Sequence, residues 1–166
     1  MALEIERRFI IKGNEWKAFI KQSQELEQGY FSTNFEEWIV RMRMIDRKKS
    51  QITLKALAGK MSTHEFEYSI PLEDAVFMWN LISKKLKKKR YFLNFGPGSW
   101  VVDCFEGSNF PLVLAEVELN SEKVLFEQPS WCSQEVTGIK KLSNASLAQY
   151  PITDWSQKER LTFQIH

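Results

Sequence analysis

The sequence predicts an α+β fold that is mainly antiparallel β, and three observations carry that prediction. Period-two alternation of charged and apolar residues recurs in one segment after another. Phe95-Gly96-Pro97-Gly98 joins two such segments in the manner of a hairpin. Helical apolar spacing is confined to a few stretches. At 166 residues, 43% hydrophobic and 27% charged, the chain is long enough for one core and short for two, so residues 1–166 are read as one domain.

Residues 2–12 alternate as a first strand. Asn14 then has the character of a helix cap, with Trp16, Phe19, Ile20 and Leu26 as an apolar stripe and Gly29 as the stop. Strand-like runs follow at Gly29 to Asn34, 37–47, 50–58 and 64–70. Pro71 suits the start of a second helix over 72–86, whose Val76, Phe77, Trp79, Leu81, Ile82 and Leu86 recur at helical spacing. In that reading Lys84, Lys85 and Lys87 form a solvated helix end, where cations favour the last carbonyls. Strands at 88–95 and 99–106 flank the Gly-Pro-Gly turn, and another runs over 112–119. Asn120-Ser121-Glu122 reads as a helix start, and short helices punctuated by Pro129, Gly138 and Pro151 complete the chain.

The composition excludes several classes. With 23 basic and 21 acidic residues the net charge is +2, which gives no field for nucleic acid or an anionic membrane, so neither is expected as a partner. Cys104 and Cys132 lack metal-ligand spacing, and His64 and His166 are too separated to form a cluster. No secretory signal or apolar run of membrane-spanning length is present, so a cytoplasmic location is expected.

Residues two apart in a strand share a face. Glu4, Glu6 and Arg8 share one, and so do Arg41 and Arg43, Thr53 and Lys55, Glu65 and Glu67, Lys88 and Arg90, and Glu116 and Glu118; Asp103 lies across from Val102 and Cys104. For any single strand, a solvated outer face accounts for the pattern. It does not account for three Glu-x-Glu pairs, because like charges at neighbouring same-face positions repel unless a cation lies between them. Carboxylates without supporting His or Cys select hard cations, so Mg2+ or Mn2+, one or two ions, is expected. The bases Arg8, Arg41, Arg43, Lys55, Lys88 and Arg90 supply the charge-assisted donors that phosphate oxygens need. Closing the charged parity into a barrel turns the apolar parity outward, to be covered by the two helices or by a partner subunit, which leaves room for a homodimer.

These residues resemble the CYTH superfamily, also called triphosphate tunnel metalloenzymes, over most of the chain. The resemblance rests on Glu4-x-Glu6, Arg41-Met42-Arg43, Thr53-Leu54-Lys55, Glu65-Phe66-Glu67-Tyr68, Lys88-Lys89-Arg90-Tyr91, Trp100 to Gly107, Leu114 to Leu119 and Glu135-Val136-Thr137-Gly138, in that order. It implies an eight-stranded closed antiparallel barrel, a tunnel with the charges inside and helices packed outside. It further implies that Glu4, Glu6 and Glu118 hold one metal, and that Glu65 or Glu67, Asp103 and Glu116 serve a second metal or its water. Arg41, Arg43, Lys55, Lys88 and Arg90 would grip phosphate oxygens. Arg8 stands where the signature has Lys, on the catalytic face. Ile139-Lys140-Lys141-Leu142 follows Thr137-Gly138 where many bacterial relatives have Asp, a basic residue and Tyr, and Lys141 is a further candidate for reaching the ligand.

The expected function is metal-dependent hydrolysis of a triphosphate, inorganic tripolyphosphate first, to pyrophosphate and phosphate. The alternatives are a catalytically weak polyphosphate- or nucleotide-binding module and, behind it, a class IV-type adenylate cyclase, for which no adenine pocket is legible.

Overall fold

The computed structural model describes residues 2–34, 36–59 and 61–166. Nine strands form: β1 (Ala2–Ile11), β2 (Ile20–Thr33), β3 (Ile39–Ile45), β4 (Lys49–Leu57), β5 (Ser62–Ser69), β6 (Lys85–Leu93), β7 (Ser99–Phe105), β8 (Val113–Glu118) and β9 (Cys132–Glu135). Their order is β5-β4-β3-β2-β6-β7-β8-β1, and β1 pairs with β5 to close eight antiparallel strands into a barrel; β9 adds to β1 outside the ring. Closure leaves the eight ring strands without a free edge.

Register puts the charged parity inside. Glu6 faces Glu118, Arg8 faces Glu116, Arg41 faces Thr53, Thr53 faces Glu67, Lys55 faces Glu65 and Arg90 faces Asp103. The apolar parity faces outward and is buried there by other segments. Ile5, Phe9, Trp100, Val102, Ala115 and Val117 lie under Trp16, Trp131, Val124 and Phe126. Met42 and Met44 lie under Ala75 and Ile82, which come from α1 (Leu72–Leu81) and the residue after it. One end of the barrel is closed by a third apolar cluster, in which Ile10, Leu86, Phe105 and Leu114 meet Leu142, Leu147, Ile152 and Phe163. Those last side chains belong to a C-terminal segment containing α2 (Asn144–Gln149) and α3 (Gln157–Thr162). Ser143 caps α2 through the Ser146 N–H, and Ser156 with Glu159 forms a capping box on α3.

Four expectations are corrected. The first helix is only a 3-10 segment over Glu15–Phe19, and β2 occupies most of its predicted length. A strand between a polar lumen and a solvated exterior has no apolar parity to read: Gln24 and Gln28 turn inward while Glu25 and Glu27 turn outward toward Lys89 and Arg47. Gly29 is not a helix stop; it lies within β2, where a Cβ would come within 2.8 Å of Ile82 Cδ1. The second helix ends at Leu81 rather than 86, because β6 takes residues 85 onward into the ladder between β2 and β7. Lys85 and Lys87 are therefore strand residues, Lys84 precedes the strand, and the lysine run is divided by parity, with Lys87 and Lys89 outward and Lys88 buried. Finally, no helix starts at Asn120: the chain turns at 122–123 and continues without regular secondary structure, laying Val124 and Phe126 on the barrel wall, and β9 follows.

Candidate functional site

The lumen is built from side chains one residue apart in parity from the outer core, so the same strand that packs outward by Phe9 and Met42 delivers Arg8 and Arg41 inward. Its floor is a hydrogen-bonded ion network. Asp103, fully buried, accepts both guanidinium N–H groups of Arg90 at 2.8 Å and a further bond from Lys88 Nζ. Burial alone would raise the Asp103 carboxyl, but Arg90 and Lys88 outweigh it and hold the group well below the usual carboxylate range. Arg90 also reaches Glu116 at 2.9 Å, and Glu116 accepts from Arg8 Nε at 3.2 Å. Arg8 Nη1 donates to the Leu142 carbonyl at 2.8 Å, and Lys88 donates to Asn144 Oδ1 at 3.0 Å, which ties the C-terminal segment to the floor.

The opposite wall carries Arg41, Arg43 and Lys55. Arg41 donates to Thr53 Oγ1 at 2.9 Å and stands 3.7 Å from both Glu65 and Glu67. Lys55 bridges Glu4 at 2.8 Å and Glu65 at 3.0 Å. Arg43 donates to the Gln28 amide oxygen at 3.0 Å rather than to a carboxylate. Burial, with Arg41 and Arg90 nearby, pulls Arg43 down to about 9, and burial also pulls Lys88 down to about 7. The lumen therefore holds positive charge without a full complement of anions. The buried Nη2 of Arg8 and Nε of Arg41 have no hydrogen-bond partner among the described residues, a costly state for a charged donor.

Charge is uncompensated on the acidic side as well. Burial and the neighbouring Glu116 push Glu6 up to about 7, and Glu118 is raised by burial and by Glu4 and Glu65. Glu4, Glu6, Glu116 and Glu118 line one cavity of about 530 Å³ beside the β6–β7 turn. A second cavity, about 260 Å³, is lined by Glu6, Arg8, Arg41 and Lys55 and opens between the β4–β5 turn and residues 137–145.

Among the described residues no three His, Cys, Asp or Glu side chains converge as a ready metal cage. The donor chemistry nevertheless fits a hard divalent ion: Glu4, Glu6 and Glu118 border one cavity with oxygen donors, and burial raises Glu6 as it would where a cation is wanting, although Glu4 is paired here with Lys55. Asp103 does not fit: its oxygens are enclosed by Arg90 and Lys88.

The barrel brings together all the predicted site residues except Lys141. That lysine pairs with Glu159 and stands over the Trp155 ring, 4.5 Å from its centroid, outside the residues lining either cavity. Three lumen residues lie outside the sequence reading. Gln28 and Tyr30 share the parity of the inward face of β2; Gln28 was obscured by the helical reading of that stretch, and Tyr30, in the strand-like run after Gly29, carries no charge to mark it. Asn144 carries no sequence signal, because only the folding back of the C-terminal segment delivers it to Lys88.

Comparison with known proteins agrees with this architecture. The CYTH domain family model matches residues 2–150. The chain is 33% identical over 159 residues to an inorganic triphosphatase of Acetivibrio thermocellus, covering 95% of this chain and all of that one. It is 31% identical over 149 residues to an inorganic triphosphatase of Nitrosomonas europaea, covering 87% and 96%. A crystal structure of an inorganic triphosphatase superposes with a TM-score of 0.63 at 29% identity, covering 89% of this chain and 95% of that one. The match runs through every strand of the ring, and this chain belongs to the CYTH domain family.

Proposed function

We propose that this chain is a divalent-metal-dependent triphosphatase that splits inorganic tripolyphosphate into pyrophosphate and phosphate within the lumen. One observation carries the reading: Arg8 and Arg41, which line the same cavity, each keep a buried guanidinium N–H without a partner among the described residues, a donor set that suits the oxygens of a polyanion. The names of the two curated relatives support the choice of substrate.

Arg41, Arg43 and Lys55 hold the phosphate chain along one wall. Arg8, oriented by Glu116 and Leu142, presents its free N–H to the phosphoryl group opposite. Asp103 positions Lys88 and Arg90 and itself touches neither metal nor substrate. Glu4, Glu6 and Glu118 would hold Mg2+ or Mn2+, which when bound would polarise phosphoryl oxygens and lower the pKa of an attacking water. Glu65 and Glu67, ranged along β5 beside Arg41, would orient that water or a second ion, while Glu116, which accepts from Arg8 and Arg90, holds those two guanidinium groups toward the lumen. Water attacks the terminal phosphorus in line, the P–O bond to the leaving pyrophosphate breaks, and the basic wall stabilises the charge that develops there. The free thiols Cys104 and Cys132 accord with a reducing cytoplasm.

The purified protein should release phosphate from tripolyphosphate with Mg2+ or Mn2+ and none with EDTA, and E4Q and E6Q should abolish release. Full activity in E6Q overturns the site. A second reading, polyphosphate binding without turnover, draws on the engagement of Arg8 by Glu116 and Leu142. Calorimetry that showed tight binding beside absent turnover would select it.

A further inference from the structure

Lys88 differs from the other lumen bases in having no access to the lumen. Its side chain is 0% exposed and borders neither cavity, whereas Arg8, Arg41 and Lys55 line one and Arg90 lines the other. The Lys88 ammonium is held between the Asp103 carboxylate and Asn144 Oδ1, the latter at 3.0 Å. A cation enclosed in this way does not reach a phosphate oxygen directly. Asn144 stands between the two regions: it binds Lys88 and also lines the cavity of about 260 Å³ that Arg8 and Arg41 share. The partner fixes which way the amide points. An ammonium donates and does not accept, so it holds the amide oxygen toward itself and turns the NH2 group away. That Nδ2 donates to nothing among the described residues. No local duty accounts for the side chain either, because Ser143 already caps α2 through the Ser146 N–H. The placement is built by the floor: the Leu142 carbonyl accepts from Arg8 at 2.8 Å and Asn144 accepts from Lys88, so the segment is fastened at two points.

We infer that Asn144 is a substrate-binding residue whose Nδ2 donates to a phosphoryl oxygen of tripolyphosphate while its Oδ1 accepts from Lys88; the inference rests on the triphosphatase reading above. Hydrogen bonds in a chain polarise one another, so an amide whose oxygen accepts from a cation donates more strongly through its N–H. Lys88, too deep to touch the substrate, is then a positioning residue that acts through the amide. Beside the free N–H groups of Arg8 and Arg41, the amide adds a third unpaired donor to the same cavity, and phosphoryl oxygens accept several donors at once.

Calorimetric titration of tripolyphosphate into the protein in EDTA tests this, because no turnover intervenes. Asn144→Leu, of similar volume but without the amide, should bind roughly 10- to 100-fold more weakly than wild type. Asn144→Asp keeps an oxygen for Lys88, so it should retain the wild-type circular dichroism and melting curve yet bind at least as weakly as Asn144→Leu. Lys88→Met should weaken binding on its own but not further in the Asn144→Leu background, since its charge reaches the substrate only through the amide. Wild-type affinity in either Asn144 variant overturns the inference, and so do additive losses from Lys88→Met and Asn144→Leu. A wild-type chain that binds no tripolyphosphate overturns the triphosphatase reading and this inference together.

Discussion

Glu6 and Glu118 stand directly opposite one another across the β1–β8 ladder, two carboxylates on the same inward face of a closed barrel. Directly opposed like charges destabilise a sheet. Replacing Glu6 by Gln should therefore leave the metal-free protein as stable as wild type or more so, as read from its melting temperature. The same change should lower metal-dependent phosphate release by about 100-fold or more, because an ion ligand is removed. A fall in stability without loss of activity would show that Glu6 is structural.

The raised Glu6 carboxyl makes a pH prediction for the metal-free protein. Its folded value of about 7 lies above the 4.5 of the free group, so between these values the folded state binds more protons than the unfolded one. Stability from this group is present at low pH and declines as pH rises from about 4.5 to about 7. The melting temperature should fall across that upper range in EDTA, flatten in E6Q, and recover when Mg2+ or Mn2+ is added.

Arg43, partly buried, donates to the neutral Gln28 amide oxygen rather than to a carboxylate, so its charge is available to an anion. Arg43→Ala should raise KM for tripolyphosphate roughly 10- to 100-fold, the equivalent of losing ~1.5–3 kcal/mol from a charge-assisted hydrogen bond. Melting should change little, since removing a desolvated cation offsets the cost of leaving the buried Gln28 amide oxygen without its donor. Unchanged KM would remove Arg43 from the site.

Asp103 behaves oppositely. Asp103→Ala leaves Lys88 and Arg90 without their shared anion inside the protein and should cost about 3–5 kcal/mol in urea unfolding, the range for breaking a buried ion pair. A loss below about 1 kcal/mol, the scale of an exposed pair, would contradict the enclosed network.

Arg8→Lys tests the fork geometry. Arg8 reaches Glu116 through Nε and the Leu142 carbonyl through Nη1, and a single ammonium cannot span both. The substitution should cost ~1–3 kcal/mol by orphaning a buried carbonyl, read by denaturant unfolding. A loss confined to catalysis would place Arg8 wholly on the substrate side.

The alternation of β1, β3, β4, β5 and β8 was legible because each has one charged and one apolar parity, and register then needed only to keep those parities consistent. β2 was not legible, because both of its faces are polar along much of its length and tertiary pairing with β3 and β6 overrode a weak helical spacing. The lysine run misled for a related reason: Lys84, Lys85 and Lys87 resemble a helix end until the ladder separates Lys88 from its neighbours.

The sequence by itself determined which side chains could line a lumen, since parity along a strand is a local property of the backbone. It also determined the chemistry that those groups favour, hard cations and phosphate oxygens. Only the tertiary structure decided which charges neutralise one another, because pairing across a barrel depends on register and shear. That is how Asp103 became the enclosed anchor of Lys88 and Arg90 while Glu6 kept an uncompensated charge. Only the folding back of residues 136–165 decided that one end of the barrel is closed, that Asn144 reaches Lys88, and that Lys141 turns instead to Glu159.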